Sequence, residues 1–328
     1  MQTSTPLLEV KNLSVSFQTY QGRAMVLDRA CLTVNRGEIM GLVGETGCGK
    51  SVLSRAVLRI TPTPPGSIDG GSILFEGRDL LSLPKKAMRR LRGDRISMIF
   101  QEPMSSLNPV FTVGNQMREV VRAHREMSRA AAEAVCLEML DAVRLPEPRA
   151  VLAAYPHELS GGMRQRVMIA MELSCRPALL LADEPTTALD VTVQGQILAI
   201  LSELSAREGL SILLVTHDMG VVAQVCRRVG VMYAGQVVEV ADVESLFARP
   251  AHPYTRGLIA SIPGESGEGE LYAIPGSVPS PVDPPRGCRF HTRCEQAMAD
   301  CRAVRPEMVC VGTRHAVACH LFSREGRP

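Results

Sequence analysis

The sequence carries its clearest chemistry in the run Gly44-Glu45-Thr46-Gly47-Cys48-Gly49-Lys50-Ser51. It fits G-x-x-x-x-G-K-[ST] and lies between a short apolar strand pattern, Glu38 to Val43, and a helical pattern, Val52 to Ile60, the context this loop requires. Glycines let the backbone turn its N–H groups inward around phosphates, and the helix that follows presents the positive end of its dipole. Lys50 reaches the β and γ phosphates as a point charge, and the Ser51 hydroxyl is a Mg²⁺ ligand. Asp183 closes the apolar run Leu179 to Ala182, where a carboxylate holds Mg²⁺ through water opposite the loop serine. Glu184 follows it and is placed to orient and polarise an attacking water. A second anion site is written at Ser160-Gly161-Gly162, a cap and two glycines opening the helical run Met163 to Leu173.

These residues need a sheet to position them. Leu8, Val10, Leu13, Val15 and Phe17 nearly alternate with polar neighbours, the period of a half-buried strand, and a second strand is predicted over about 25–34. Leu179 to Ala182 and Ile212 to Val215 are continuous apolar runs, as in strands buried on both faces of a parallel sheet. From Thr112 to about Val143 the pattern is helical, and Ala132, Val135 or Cys136, Met139 or Leu140, and Val143 mark one face of a helix capped by Ser128. The alternation predicts an α/β sheet protein with a helical block inserted at about 103–165. The stretch 263–287 holds six prolines and five glycines, too many for a helix or central strand, and reads as a surface linker.

Composition narrows the class. At 45% apolar and 21% charged the chain is globular, and a net charge of +2 offers no support for a nucleic-acid or acidic-lipid partner. No apolar run is long enough to span a bilayer, and the first residues lack the pattern of a signal peptide, so a cytoplasmic location is expected.

Leu159-Ser160-Gly161-Gly162-Met163-Arg164-Gln165-Arg166 decides among phosphate-loop proteins. With it, residues 7–262 resemble the ATP-binding-cassette ATPases, whose signature is L-S-G-G-x-x-Q-R. The resemblance implies a P-loop cassette fold: a RecA-like α/β core, an antiparallel β subdomain and a helical subdomain. It also implies sites for ATP and Mg²⁺ formed between the phosphate loop of one subunit and the signature (Ser160, Gly161, Gly162, Gln165) of another. Gln101 matches the glutamine that touches Mg²⁺ and the attacking water, Asp190 the D-loop at the dimer seam, and His217 the switch histidine on the γ-phosphate. Phe17 sits where the family stacks an aromatic on adenine, with Tyr20 the alternative. Glu102 to Pro109, Glu184 to Gln194 and Pro250 to Leu258 are similar to segments of dipeptide and oligopeptide importers. The resemblance therefore implies an ATP-hydrolysing importer subunit on the cytoplasmic face of the inner membrane. Its partners would be a second, homologous ATPase chain, two membrane permease subunits and, indirectly, an external solute-binding protein. Dipeptides or oligopeptides are the expected solutes, with nickel chelates and glutathione as alternatives and a non-transport cassette ATPase as the rival class.

Five of the ten cysteines fall in residues 288–328. Cys288, Cys294, Cys301 and Cys319 are spaced C-x5-C-x6-C-x17-C, with Cys310 in addition; no C-x2-C pair marks a zinc ribbon, although His291, His315 and His320 lie nearby. A four-iron four-sulfur cluster on the four cysteines, a zinc site and unmetallated thiols all remain open. The resemblance favours the cluster, because the dipeptide permease ATPases bind one through such cysteines. So short a segment has too little aliphatic content for its own core, so a metal staple is expected to hold it.

Overall fold

The computed structural model describes residues 6–101, 107–186, 190–262 and 272–323. These divide into two compact units, one within Met1–Asn35, Ile39–Ser82 and Val215–Pro328, the other within Arg36–Glu38 and Leu83–Leu214.

The first unit opens with the antiparallel pair β1 (Pro6–Thr19) and β2 (Gly22–Asn35). The near-alternation seen in the sequence is its inner face, with Leu8, Val10, Leu13 and Val15 all buried. β3 (Ile39–Val43) is buried at every position and delivers the chain into the phosphate loop. Helix α1 (Lys50–Val57) begins inside that loop, ahead of the Val52 predicted from the pattern, because Gly49 at φ 108° turns the chain there. β4 (Gly66–Phe75) and β5 (Arg78–Asp79) complete a sheet in the order β2-β1-β4-β5.

The second unit holds α2 (Lys85–Leu91) and β6 (Ile96–Ile99). The start of the expected helical block, and most of the segment Glu102 to Pro109, lie outside the described residues. The helical pattern from Thr112 to Val143 is divided into α3 (Val113–His124) and α4 (Arg129–Ala142). Each half has its own cap: Thr112 Oγ1 accepts from the Asn115 N–H at 3.3 Å and Ser128 Oγ from the Ala131 N–H at 3.2 Å. α5 (Pro148–Ala153) and α6 (Gly161–Leu173) follow. β7 (Leu179–Asp183) runs parallel to β6, α7 (Val191–Glu208) follows, and β8 (Ser211–Thr216) lies beside β7.

The chain then returns to the first unit through α8 (Met219–Val225), β9 (Arg228–Tyr233), parallel to β3, and β10 (Gln236–Asp242), antiparallel to β9. α9 (Val243–Ala248) and α10 (Pro253–Ala260) precede the C-terminal segment of α11 (Ala299–Ala303), β11 (Val309–Gly312) and β12 (His315–Val317). That segment packs on the body of its own unit. β12 pairs with β10 and β11 with β12, extending the sheet. Phe290 enters the buried cluster of Val43, Val231, Tyr233, Leu246 and Tyr254, lying edge-on to Tyr233 with ring centroids 5.1 Å apart. The segment thus borrows apolar partners from the body that precedes it, which its own composition could not reveal. Residues 272–287 form no helix or strand, yet Ile274 and Val278 pack on the same cluster and Pro281 O accepts from the Met25 N–H at 2.7 Å.

Candidate active site

The phosphate loop is shaped by its glycines. Gly44, Gly47 and Gly49 have φ of 155°, 81° and 108°. A Cβ on Gly44 would stand 2.1 Å from Met232 O, so the first loop position admits no side chain. Lys50 is buried at 5% exposure, and its Nζ donates to Gly44 O at 2.7 Å and Glu45 O at 3.1 Å, holding the ammonium over the loop backbone. Ser51 is half-buried in the first turn of α1; Thr46 and Gly47 are exposed. Burial pushes the Cys48 thiol up, against the pull of Lys50, so it stays protonated and packs as a small apolar group.

In the second unit Asp183 ends β7 and is 1% exposed. Glu184 follows with φ 48°, a left-handed backbone that costs a non-glycine residue free energy and aims its side chain off the strand axis. Its Oε2 accepts from Gln101 Nε2 at 3.1 Å, so the predicted water-orienting acid and glutamine are in contact. Ser160 Oγ accepts from the Met163 N–H at 3.3 Å and caps α6; Ser160 and Gly161 are exposed, and a Cβ on Gly161 would meet nothing within 4 Å. Gln165 differs from its neighbours in the signature. It is 1% exposed, and its Nε2 donates to Pro185 O, so the side chain braces the turn after Glu184. Asp190 caps α7, accepting from the Val193 N–H at 2.9 Å; the rest of the predicted D-loop, Ala188-Leu189, lies outside the described residues.

In the first unit His217 is exposed just after β8, beside Asp218, whose carboxylate caps α8 by accepting from the Gly220 and Val221 N–H groups. Phe17 is half-buried with its ring edge against Gly66, whereas Tyr20 projects fully into solvent from the β1–β2 turn.

The family model "ABC transporter" matches residues 27–187, and "Oligopeptide/dipeptide transporter, C-terminal region" matches residues 238–301. The oligopeptide transport ATP-binding protein OppD of Bacillus subtilis is 49% identical over 97% of this chain and 89% of its own length. A probable peptide ABC transporter ATP-binding protein of Sinorhizobium fredii is 50% identical over 95% of this chain and 94% of its own. This chain belongs to the ATP-binding subunits of oligopeptide/dipeptide ABC transporters. The dipeptide transport ATP-binding protein DppD of Bacillus subtilis is 46% identical over 96% of this chain. A dimeric bacterial ABC transporter cassette matches 72% of the chain with a TM-score of 0.65 at 26% identity and is itself covered to 98%. An ABC subunit of this type is an ATPase.

Around the phosphate loop of this transporter subunit lie residues that spacing did not reveal. Pro253-Tyr254 looks like a packing turn in the sequence, but Tyr254 OH accepts from the Glu45 N–H at 2.9 Å. Arg293 forms a bidentate pair with Glu45 at 2.7 and 3.0 Å. No local pattern signals either contact, since 209 and 248 residues separate the partners. Burial pushes Cys288 up to about 11, and the neighbouring Cys301, Cys319 and Cys294 push the same way. Cys319 is likewise raised to about 11 by burial, then by Cys294 and Cys301. The Cys288 N–H donates to Cys301 O at 2.8 Å; Cys301 and Cys319 are buried, Cys288 and Cys294 half-buried, and Cys310 is exposed. Among the described residues no group of three His, Cys, Asp or Glu closes into a single-ion site.

Proposed function

We propose that this ATPase subunit powers uptake of dipeptides or oligopeptides, paired with a second, different ATPase chain on two permease subunits fed by an external binding protein. The observation that carries this is the extent of the likeness, which runs past the cassette into the C-terminal region found in peptide transporters. Among the described residues no helix is long and apolar enough to cross a membrane, consistent with a peripheral subunit held at the cytoplasmic face by its permease partners.

In the proposed site Lys50 and the loop N–H groups hold the triphosphate. Ser51, Gln101 and Asp183 would hold Mg²⁺, which supplies charge neutralisation at the β and γ oxygens. Phe17, or alternatively Tyr20, stacks on adenine, a contact worth about 1–3 kcal/mol. Glu184 aligns the attacking water and His217 contacts the γ-phosphate. Ser160, Gly161 and Gly162 close over the ATP of the partner subunit, with Gln165 bracing the turn after Glu184 and Asp190 at the seam. Exposure of Ser160 and Gly161 at a capped helix start supports this role, because an anion can approach there without a side chain in the way. Closure on ATP and release after hydrolysis would then drive the permease subunits between two states.

The test is ATP turnover in the complex co-purified with its permease subunits. Peptide-loaded binding protein should raise the rate several-fold; stimulation only by a nickel chelate or glutathione would reassign the solute.

Cys288, Cys294, Cys301 and Cys319 are proposed to hold a four-iron cluster as a structural staple. The chemistry of the donor set fits: four cysteines in one short segment, two buried and two half-buried, would bind such a cluster as thiolates, and the cluster would cross-link the segment. Anaerobically purified protein should contain about four iron and four sulfide per chain, and Cys301→Ser should lower both. A colourless protein with one zinc per chain would refute the cluster.

A further inference from the structure

We infer that Arg293 is a positioning residue for the phosphate loop, neutralising Glu45 and holding its carboxylate away from the bound triphosphate. The inference rests on the proposed role of the loop as the ATP site. A glutamate as the second residue of an anion-binding loop is an electrostatic conflict: the loop collects N–H dipoles for phosphate, and a free carboxylate there opposes the same anion. The structure resolves the conflict from outside the loop.

The Arg293 side chain is 5% exposed, against 27% for Glu45. It donates twice to Glu45, to Ile274 O at 3.1 Å and through Nε to Pro275 O at 2.8 Å. Its guanidinium lies over the rings of Tyr233 and Phe290, 5.7 and 5.9 Å from the centroids. With its donors committed and two rings beside it, the guanidinium is held in one orientation, and the carboxylate it grips is fixed with it. Tyr254 OH meanwhile fixes the Glu45 N–H, so both ends of the residue are held by chain outside the loop.

A second arm starts four residues earlier. Arg289 donates to Ala234 O and to Asp28 Oδ2 at 3.1 Å. Gly235, in the same turn, donates its N–H to Cys48 O at 2.8 Å. The interval between Cys288 and Cys294 thus meets the phosphate loop directly through Arg293 and, at one remove, through Arg289 and the Ala234-Gly235 turn.

Equilibrium MgATP binding to the full-length chain by calorimetry, with KM and kcat in the transporter complex, tests this. Arg293→Ala should weaken ATP about tenfold, in Kd and KM, with kcat within about twofold, because the conflict acts on binding. Arg293→Lys keeps the charge and should stay within about threefold. Glu45→Gln should leave affinity unchanged or tighten it, since it removes the opposing charge. The double variant should return to within about threefold of wild type, the non-additivity expected of a coupled pair. A structural role alone would weaken binding in all of them. The inference is overturned if Arg293→Ala binds ATP normally, or if Glu45→Gln and the double variant lose as much affinity as Arg293→Ala. Should Arg293→Ala not fold, the opposite-sign result for Glu45→Gln and the retained affinity of Arg293→Lys still decide it. ATP binding that survives Lys50→Ala would instead overturn the assignment of the loop on which the inference rests.

Discussion

Replacing Glu184 by glutamine should lower ATP turnover by about 100-fold or more while leaving ATP binding intact, the expected range for losing a positioned base. The two effects separate because different groups supply them. Binding draws on the loop backbone and Lys50, whose Nζ is already held over Gly44 O and Glu45 O. Turnover needs a basic oxygen directed at the water opposite the γ-phosphate. Glutamine preserves the shape and can still accept from Gln101 Nε2, the 3.1 Å contact that orients the side chain, so local structure is retained. What is lost is the negative oxygen, and a 100-fold effect corresponds to about 2.7 kcal/mol of transition-state stabilisation. The left-handed backbone at Glu184, φ 48°, supports the assignment, since such conformations persist where surrounding structure enforces them for a purpose. Single-turnover hydrolysis in the assembled transporter checks the chemistry, and nucleotide-dependent closure of the ATPase pair checks binding. A variant that hydrolyses within about threefold of the wild-type rate would remove Glu184 from its role.

What the sequence disclosed, and what it did not, follows from the range of the interactions. The phosphate loop was legible because its glycines answer a local demand, the positive φ of Gly44, Gly47 and Gly49. Ser128 and Ser160 were equally legible, since a helix cap accepts from an N–H three residues on. The second helix of the long helical pattern starts at the Ser128 cap as read, whereas the end of the first at His124 was not legible because no proline or glycine marks it. The inward turn of Gln165 was missed because its partner, the Pro185 carbonyl, lies beyond any helical spacing. The C-terminal segment was the largest departure. Its shortage of aliphatic residues is real, but Phe290 fills a core built by Tyr233 and Tyr254, and Arg289, Arg293 and Arg305 reach acids on β2 and in the loop. One signal for such long-range burial was present: an acid within the apolar run Val237-Val238-Glu239-Val240, which a strand buries only if it has partners.

Glu239→Ala should therefore destabilise the chain by about 3–5 kcal/mol, the cost of breaking a buried polar network on one side. Glu239 is 0% exposed in β10. Its Oε1 accepts from the Ala251 N–H at 2.7 Å and faces His315 Nε2 at 2.7 Å, and its Oε2 accepts from the His252 N–H at 2.9 Å. One carboxylate thus joins β10, the approach to α10 and the C-terminal β12. Alanine would leave two N–H groups and an imidazole buried without that acceptor. Denaturant unfolding, followed at one pH, reads this loss; a change below about 1 kcal/mol, within the range of ordinary surface substitutions, would show that water or rearrangement replaces the carboxylate. The adjoining His252 adds a pH dependence of definite sign. It is fully buried, its Nδ1 accepts from the Tyr254 N–H at 3.0 Å, and burial, then the nearby Arg256, depresses its pKa to about 3. A depressed histidine pKa means that the unfolded chain takes up a proton first, at its ordinary pKa of about 6.5. The contribution of neutral His252 is therefore complete above that pH and is lost as pH falls toward 3. Glu172, raised to about 7 by burial, acts oppositely: its contribution is complete at low pH and is lost as pH rises from 4.5 through 7. The histidine is isolated by comparing wild type with His252→Asn, whose side-chain oxygen can accept from the Tyr254 N–H without titrating. The wild type should lose about 2 kcal/mol more than the variant between pH 7 and pH 5. Parallel stability curves would mean that the ring is not held neutral, and the network would then have to be redrawn around a charged His252.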